Sequence, residues 1–228
     1  MKKDKFKETH RGIPTTLKKS NTKKARTIKN RFKQISFSLP WINDQKRFAG
    51  FPGLTGISRK MVNHVPQCTY YVEPFAGAAK VYQELEKMKP QKFSYAVLNE
   101  KSEYIYNWLK ENFSYPVITK TDYTETIETY NFPRTFFLID PPWFSSFYDQ
   151  AFSCFDRESV KEYDLEVLKY CNKLIGDFMI TTRKENTRML NSGWNNYLIE
   201  SEYVVCGKYP KTLITTSLRL EGLEKIGL

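Results

Sequence analysis

The residues with the clearest chemical potential follow an apolar run, Phe136 to Ile139, where Asp140, Pro141, Pro142 and Trp143 stand in succession. The prolines fix φ and donate no N–H, so the carbonyls beside them stay free to accept hydrogen bonds. We expect Asp140 and the Pro141 carbonyl to form an acceptor pair aimed at an amino group, with the Trp143 ring as a flat stacking surface. Such a site suits a flipped-out nucleobase with an exocyclic amine. The plainer alternative is a strand end with a proline stop and a packing tryptophan.

A second segment has the features of a ligand-binding turn. It runs from Glu73 through Pro74 and Phe75 to Gly77, and it continues with small residues up to Ala79. Small side chains let the backbone approach a ligand closely, and a helix begins directly afterwards with free N–H groups. The alternative is a tight strand-to-helix turn in which Phe75 belongs to the core.

A third segment, Asn99-Glu100, ends the next predicted strand, and its acid lies 27 residues after Glu73. A carboxylate at the tip of the second strand is placed to accept both hydroxyls of a nucleoside ribose. The same two residues also fit the N-cap of the helix that follows.

Strands and helices alternate along most of the chain, and these elements must position the three segments. The predicted strands are 69–73, 93–98, 117–119, 135–139, 178–182, 194–205 and 211–218, and the predicted helices are 57–65, 78–89, 102–112, 123–130, 157–172 and 185–190. Such alternation favours an α/β fold with a mostly parallel sheet and helices on both faces. The short turn Cys206–Pro210 permits only a hairpin, so the sheet should close with an antiparallel pair.

In their order and at these strand ends, the three segments resemble the Dam-type DNA adenine methyltransferases, whose Asp-Pro-Pro-Tyr motif allows Trp in some members. The resemblance extends from about Phe51 to Leu220 and implies a Rossmann-like methyltransferase fold with S-adenosylmethionine as cofactor. It also implies a reaction, methylation of the exocyclic amino group (N6) of adenine in DNA. Two alternatives stay open: an RNA N6-adenosine methyltransferase, for which Trp is also typical, and a catalytically degenerate nucleic-acid-binding or scaffold protein.

By this resemblance, each segment has a role. The cofactor would be bound by Glu73, Pro74, Phe75, Gly77 and Glu100, with Glu100 holding the ribose. The target adenine would be bound by Asp140, Pro141, Pro142 and Trp143.

Three features depart from that family. Ala79 stands where the family has a second glycine, and the usual early lysine has no clean counterpart, although Arg59 or Lys60 could replace it. Only 63 residues separate Gly77 from Asp140, which leaves no room for the family's target-recognition domain. A partner subunit could supply that function.

Positive charge is concentrated in one arm of the chain. Residues 1–33 contain 13 Lys and Arg and two acids, whereas the remainder has 23 of each sign. We expect a disordered arm, 1–33, that contacts nucleic acid, more likely DNA than RNA, through Lys23, Lys24, Arg26 and Arg31. A solubilising tail and a transit peptide are the alternatives. The aromatic loop after Trp143 offers further stacking residues, namely Phe144, Phe147 and Tyr148.

The remaining composition excludes several classes of protein. We expect residues 34–228 to form a single methyltransferase domain, since their number suits one core. No apolar run is long enough to cross a membrane, so a soluble, cytoplasmic protein is expected. The resemblance adds the expectation of a prokaryotic or viral origin. The four cysteines are scattered and there are only two histidines, which argues against disulfides or a metal site.

Overall fold

The computed structural model describes residues 54, 56–142, 165–202 and 211–227, all of them within one compact unit, Lys46–Leu228. The basic arm and the expected boundary at residue 33 lie outside the described residues. None of the helices described here is long and apolar enough to span a membrane.

In this part of the chain, eight strands form one sheet with the order β3-β2-β1-β4-β5-β7-β6-β8. The strands are β1 (Tyr70–Glu73), β2 (Tyr95–Asn99), β3 (Val117–Thr119), β4 (Thr135–Ile139), β5 (Asp177–Arg183), β6 (Asn195–Glu200), β7 (Lys211–Thr216) and β8 (Glu224–Ile226). The first five pair in parallel, and β7, β6 and β8 add antiparallel. This arrangement is a Rossmann-like α/β fold with a mostly parallel sheet and antiparallel C-terminal strands, and the predicted fold class is confirmed.

One helix precedes β1, and the others lie between consecutive strands. The helices are α1 (Ser58–Val62), α2 (Lys80–Met88), α3 (Glu103–Asn112), α4 (Tyr123–Thr129), α5 (described over 165–171) and α6 (Thr187–Leu190). Each follows the predicted position with its ends trimmed. Residues 157–164 of the predicted helix 157–172 lie outside the described residues.

The predicted strand 194–205 is too long. β6 ends at Glu200, because the chain then leaves the sheet and the Glu202 N–H donates to the Gly56 carbonyl at 2.7 Å. Residues 203–210, including the predicted turn Cys206–Pro210, lie outside the described part. The sequence analysis also missed β8, a three-residue edge strand that has no apolar alternation.

Apolar residues on each face of the sheet pack under the helices. One face contributes Val72, Val97, Phe137, Ile139, Phe178, Ile180 and Leu213 to a core with residues of α4, α5 and α6. On the opposite face the Tyr71 ring lies against Phe136 and against Tyr82 of α2, with centroids 6.0 and 6.3 Å apart. Because side chains alternate along a strand, Glu73 and Asp140 share this second face with Tyr71 and Phe136.

The entry into β5 depends on a glycine. A Cβ atom built on Gly176 would lie 2.2 Å from the Thr135 carbonyl oxygen at the start of β4. Only a residue without a side chain lets the two strands approach this closely at their amino ends.

Candidate active site

The carboxyl ends of the parallel strands form one edge of the sheet, and the strand order reverses between β1 and β4. From β1 the chain proceeds outward to β2 and β3, whereas β4 and β5 lie on the other side of β1. In open α/β sheets a ligand crevice forms beyond such a switch point. Glu73 ends β1 and Asp140 directly follows β4, so the two acids flank that crevice.

The Glu73 carboxyl is buried, with 4% of the residue exposed. Its Oε1 accepts a hydrogen bond from the Tyr71 hydroxyl at 2.6 Å and another from the Tyr82 N–H in the first turn of α2 at 3.1 Å. Burial raises the pKa of Glu73 to about 8 despite these bonds, and the nearby Asp140 contributes to the rise. The carboxyl therefore ties β1 to α2 as well as lining the crevice.

Asp140 is the second member of the pair. Its Oδ1 accepts a hydrogen bond from the Thr181 hydroxyl on β5, and burial raises the pKa of Asp140 to about 7. Pro141, directly after it, is buried, and Pro142 is half-buried. Near neutral pH the Asp140 carboxyl is divided between its charged and neutral forms, so a modest change in its surroundings moves its charge.

Glu73 is buried and Asp140 is half-buried, and the charged form of a carboxyl group withdrawn from water is costly unless a positive charge joins it. Within the described residues, no Lys or Arg side chain contributes to lowering the pKa of either acid. The pair is therefore suited to a ligand that brings a positive charge of its own.

The turn after β1 is built for close backbone approach. Gly77 has φ +51°, a left-handed conformation, and its N–H donates to Glu100 Oε2 at 3.1 Å. Glu100 Oε1 accepts the Ser102 N–H at 3.0 Å, so its carboxyl joins the glycine turn to the start of α3. Burial raises the pKa of Glu100, while the backbone N–H groups oppose that rise.

Ala79 occupies the position where the Dam-type enzymes have a glycine. Its backbone is also in the left-handed conformation, with φ +49° and ψ +44°, immediately before α2. A non-glycine residue in this region costs about 1 kcal/mol or more. Alanine in place of the family's glycine therefore carries a conformational cost at this turn.

The sequence analysis considered Asn99 only as a candidate helix cap and missed its structural role. Its side chain is buried and does not cap α3: Nδ2 donates to the carbonyls of Pro74 and Thr121 at 3.0 and 3.1 Å. Its Oδ1 accepts the Thr121 N–H and the Thr119 hydroxyl, both at 2.9 Å. One amide thus joins the turn after β1 to the loop after β3.

The remaining predicted residues divide into those that are placed and those that are not described. The Phe75 ring, half-buried, stacks on Tyr123 with centroids 4.8 Å apart, which secures the turn against α4. The described part of the chain does not include Trp143, Phe144, Phe147, Tyr148, Lys23, Lys24, Arg26 or Arg31, and their roles stay predictions.

The two candidates for the missing lysine make other contacts. Arg59 forms an ion pair with Glu84 of α2 at 3.2 Å, and the Lys60 ammonium donates to the Glu200 carbonyl at 2.6 Å. Both partners belong to scaffold elements, and neither contact involves the glycine turn.

Within the described residues, no group of three or more His, Cys, Asp or Glu side chains is arranged to hold a metal ion.

No protein-family model matches the chain, and no curated protein matches it. Similar solved structures include the following three. Precorrin-6y C5,15-methyltransferase from Geobacter metallireducens GS-15 is 10% identical with a TM-score of 0.49, over 72% of this chain and 88% of that one. TrmK from M. capricolum, in complex with S-adenosyl-homocysteine, is 12% identical with a TM-score of 0.47, over 75% and 68%. An rRNA methylase from Streptococcus thermophilus is 9% identical with a TM-score of 0.42, over 70% and 93%.

Proposed function

We propose that this chain is an S-adenosylmethionine-dependent methyltransferase of the Dam type that methylates N6 of adenine in DNA. The observation that carries the proposal is the placement of two carboxyl groups with raised pKa, that of buried Glu73 and that of half-buried Asp140, at the switch point of the sheet, with two prolines directly after Asp140. The pair lies where this fold binds ligands and is suited to a cationic one.

The residues present fit the proposed cofactor. Glu100 offers carboxylate oxygens to ribose hydroxyls, since backbone N–H groups occupy only part of its acceptor capacity. Gly77 brings the backbone close to the bound molecule, and Phe75 supports the turn from the α4 side. A bound sulfonium would favour the ionised forms of Glu73 and Asp140, whose negative charges would then balance its positive charge. When bound, S-adenosylmethionine supplies an electrophilic methyl group on a cationic sulfur.

Asp140 and the Pro141 carbonyl would hold the two hydrogens of the target amino group. With both hydrogens fixed, the nitrogen lone pair turns out of conjugation with the ring and toward the methyl group. Transfer then needs alignment and charge stabilisation rather than a metal or a covalent intermediate. The pKa of about 7 at Asp140 suits it to take the proton that the methylated nitrogen must lose. Trp143 would hold the ring by stacking.

Affinity for nucleic acid would come from the basic arm, residues 1–33, because the rest of the chain has no net charge. The proposal leaves sequence recognition to the aromatic loop after Trp143 or to a partner subunit.

The test of the proposal is the variant Asp140→Ala. We expect it to abolish methyl transfer while leaving the affinity for S-adenosylmethionine, measured by calorimetry, within several-fold of the wild type. Asp177→Asn is the matched control, since Asp177 begins β5 at the opposite edge of the sheet and accepts the Ser217 hydroxyl. Normal turnover by Asp140→Ala would refute the assignment.

A further inference from the structure

The register of β4 and β5 places Thr181 beside Asp140. In the parallel pairing of β4 with β5, Ile139 is the partner of Ile180, so Asp140 and Thr181 are the next residues on neighbouring strands. Both point to the same face, opposite the core that contains Ile139 and Ile180. Thr181 is completely buried, and its hydroxyl donates to Asp140 Oδ1.

We propose that Thr181 is the positioning residue for Asp140: its hydroxyl occupies Oδ1 and so presents Oδ2 to the amino group of the substrate. The reasoning rests on the proposed function. Rotation of an aspartate carboxyl about χ2 is soft, so without a bonded partner the plane of the group is poorly fixed. A hydrogen bond from a buried, β-branched side chain on a rigid strand fixes that plane.

The same bond affects the charge of Asp140. A hydroxyl that donates to a carboxylate stabilises the ionised form, and it opposes the upward effect of burial on the pKa of Asp140. An acceptor for amino hydrogens works best when it is ionised. Thr181 therefore serves both the orientation of Asp140 and its charge at neutral pH.

The variant that tests this is Thr181→Val, which keeps the shape of the side chain and removes the hydroxyl. Thr181→Ser restores the hydroxyl. The matched control is Thr182→Val, because Thr182 is equally a buried β5 threonine but points to the other face, with its hydroxyl near the Arg183 carbonyl.

The first measurement does not depend on activity. Carboxyl ¹³C resonances of labelled aspartate, with that of Asp140 assigned through Asp140→Asn, are followed across pH. We expect the Asp140 midpoint to rise by about one pH unit in Thr181→Val, and to return toward the wild-type value in Thr181→Ser. The midpoint in Thr182→Val should equal that of the wild type. An unchanged midpoint in Thr181→Val overturns the proposal.

The second measurement is methyl transfer. We expect kcat to fall about tenfold or more in Thr181→Val, with KM for S-adenosylmethionine unchanged and with the pH–rate profile displaced to higher pH. In an Asp140→Asn background, Thr181→Val should have no further effect. An equal loss in Thr182→Val would make the effect structural and overturn the proposal. If the wild type transfers no methyl group to any nucleic acid, the proposed function fails, while the ¹³C titration still decides whether Thr181 controls Asp140.

Discussion

Glutamine in place of Glu73 is expected to make the protein more resistant to unfolding at alkaline pH. The native carboxyl has a pKa of about 8, against 4.5 for the ordinary group. The folded state therefore holds a proton that the unfolded chain releases, and the stability from the neutral form is lost as pH rises from about 4.5 through 8. The amide side chain stays neutral throughout, and its oxygen can still accept the bonds from Tyr71 and Tyr82.

The size of the effect follows from the displacement of the pKa. Relative to a neutral group, ionisable Glu73 costs about 1 kcal/mol of folding free energy at pH 5 and about 5 kcal/mol at pH 9. The advantage of Glu73→Gln should thus grow by about 4 kcal/mol between these two pH values. For a chain of this size that growth corresponds to about 8–16 °C in Tm.

Urea unfolding followed by far-UV circular dichroism at pH 5, 7 and 9 measures this difference directly. Glu86→Gln is the matched control: Glu86 also accepts a tyrosine hydroxyl, that of Tyr82 at 3.0 Å, but it is exposed. Because its side chain is exposed, Glu86→Gln should not reproduce the gain in stability expected of Glu73→Gln. If the free energy of unfolding changes with pH by the same amount in the wild type and in Glu73→Gln, Glu73 is not held neutral in the crevice and the prediction is wrong.

Three further outcomes are expected. Gly176→Ala should destabilise the fold by about 3 kcal/mol in urea titrations, because its Cβ would meet the Thr135 carbonyl at 2.2 Å; a loss below about 1 kcal/mol would contradict that packing. Affinity for S-adenosylmethionine, measured by calorimetry, should fall about tenfold from pH 9 to pH 6 as Glu73 and Asp140 take up protons, while the uncharged thioether S-adenosylhomocysteine changes less; equal pH dependence would contradict the proposed charge pairing. Deletion of residues 1–33 should weaken nucleic-acid binding and flatten its salt dependence in fluorescence titrations without affecting cofactor binding, and survival of both affinity and salt slope would make the arm a simple tail.

The main outline of the fold could be predicted because it depends on local patterns. Short runs of β-branched and aromatic residues alternate with amphipathic segments, and β3 and β4 have the predicted limits, Val117–Thr119 and Thr135–Ile139. The acids at strand ends could be identified for the same reason, since parallel strands bring their carboxyl ends to one edge.

The features that were missed depend on partners distant in sequence. Asn99 bonds to groups 20–25 residues away, and nothing in its immediate neighbours distinguishes this role from a helix cap. β6 ends early because Glu202 pairs with Gly56, a contact across almost the whole described chain. The left-handed conformation of Ala79 contradicts the preference of its residue type, and it follows from the tight turn into α2.

The two threonines near the end of β5 could have indicated, from the sequence, a hydrogen-bond partner for Asp140. Thr181 and Thr182 interrupt an otherwise apolar strand at the edge where Asp140 emerges. A hydroxyl at that position of a neighbouring parallel strand is placed to bond the acid, once the strand order is known.

A labelled-methyl transfer assay tests the central claim most directly. Wild-type protein is incubated with radiolabelled S-adenosylmethionine and, side by side, duplex DNA, single-stranded DNA and RNA, and the product is digested to nucleosides. We predict label in N6-methyldeoxyadenosine from DNA, and none with Asp140→Ala. Label in RNA adenosine alone, or absence of transfer to any of the three together with absence of cofactor binding, would contradict the account.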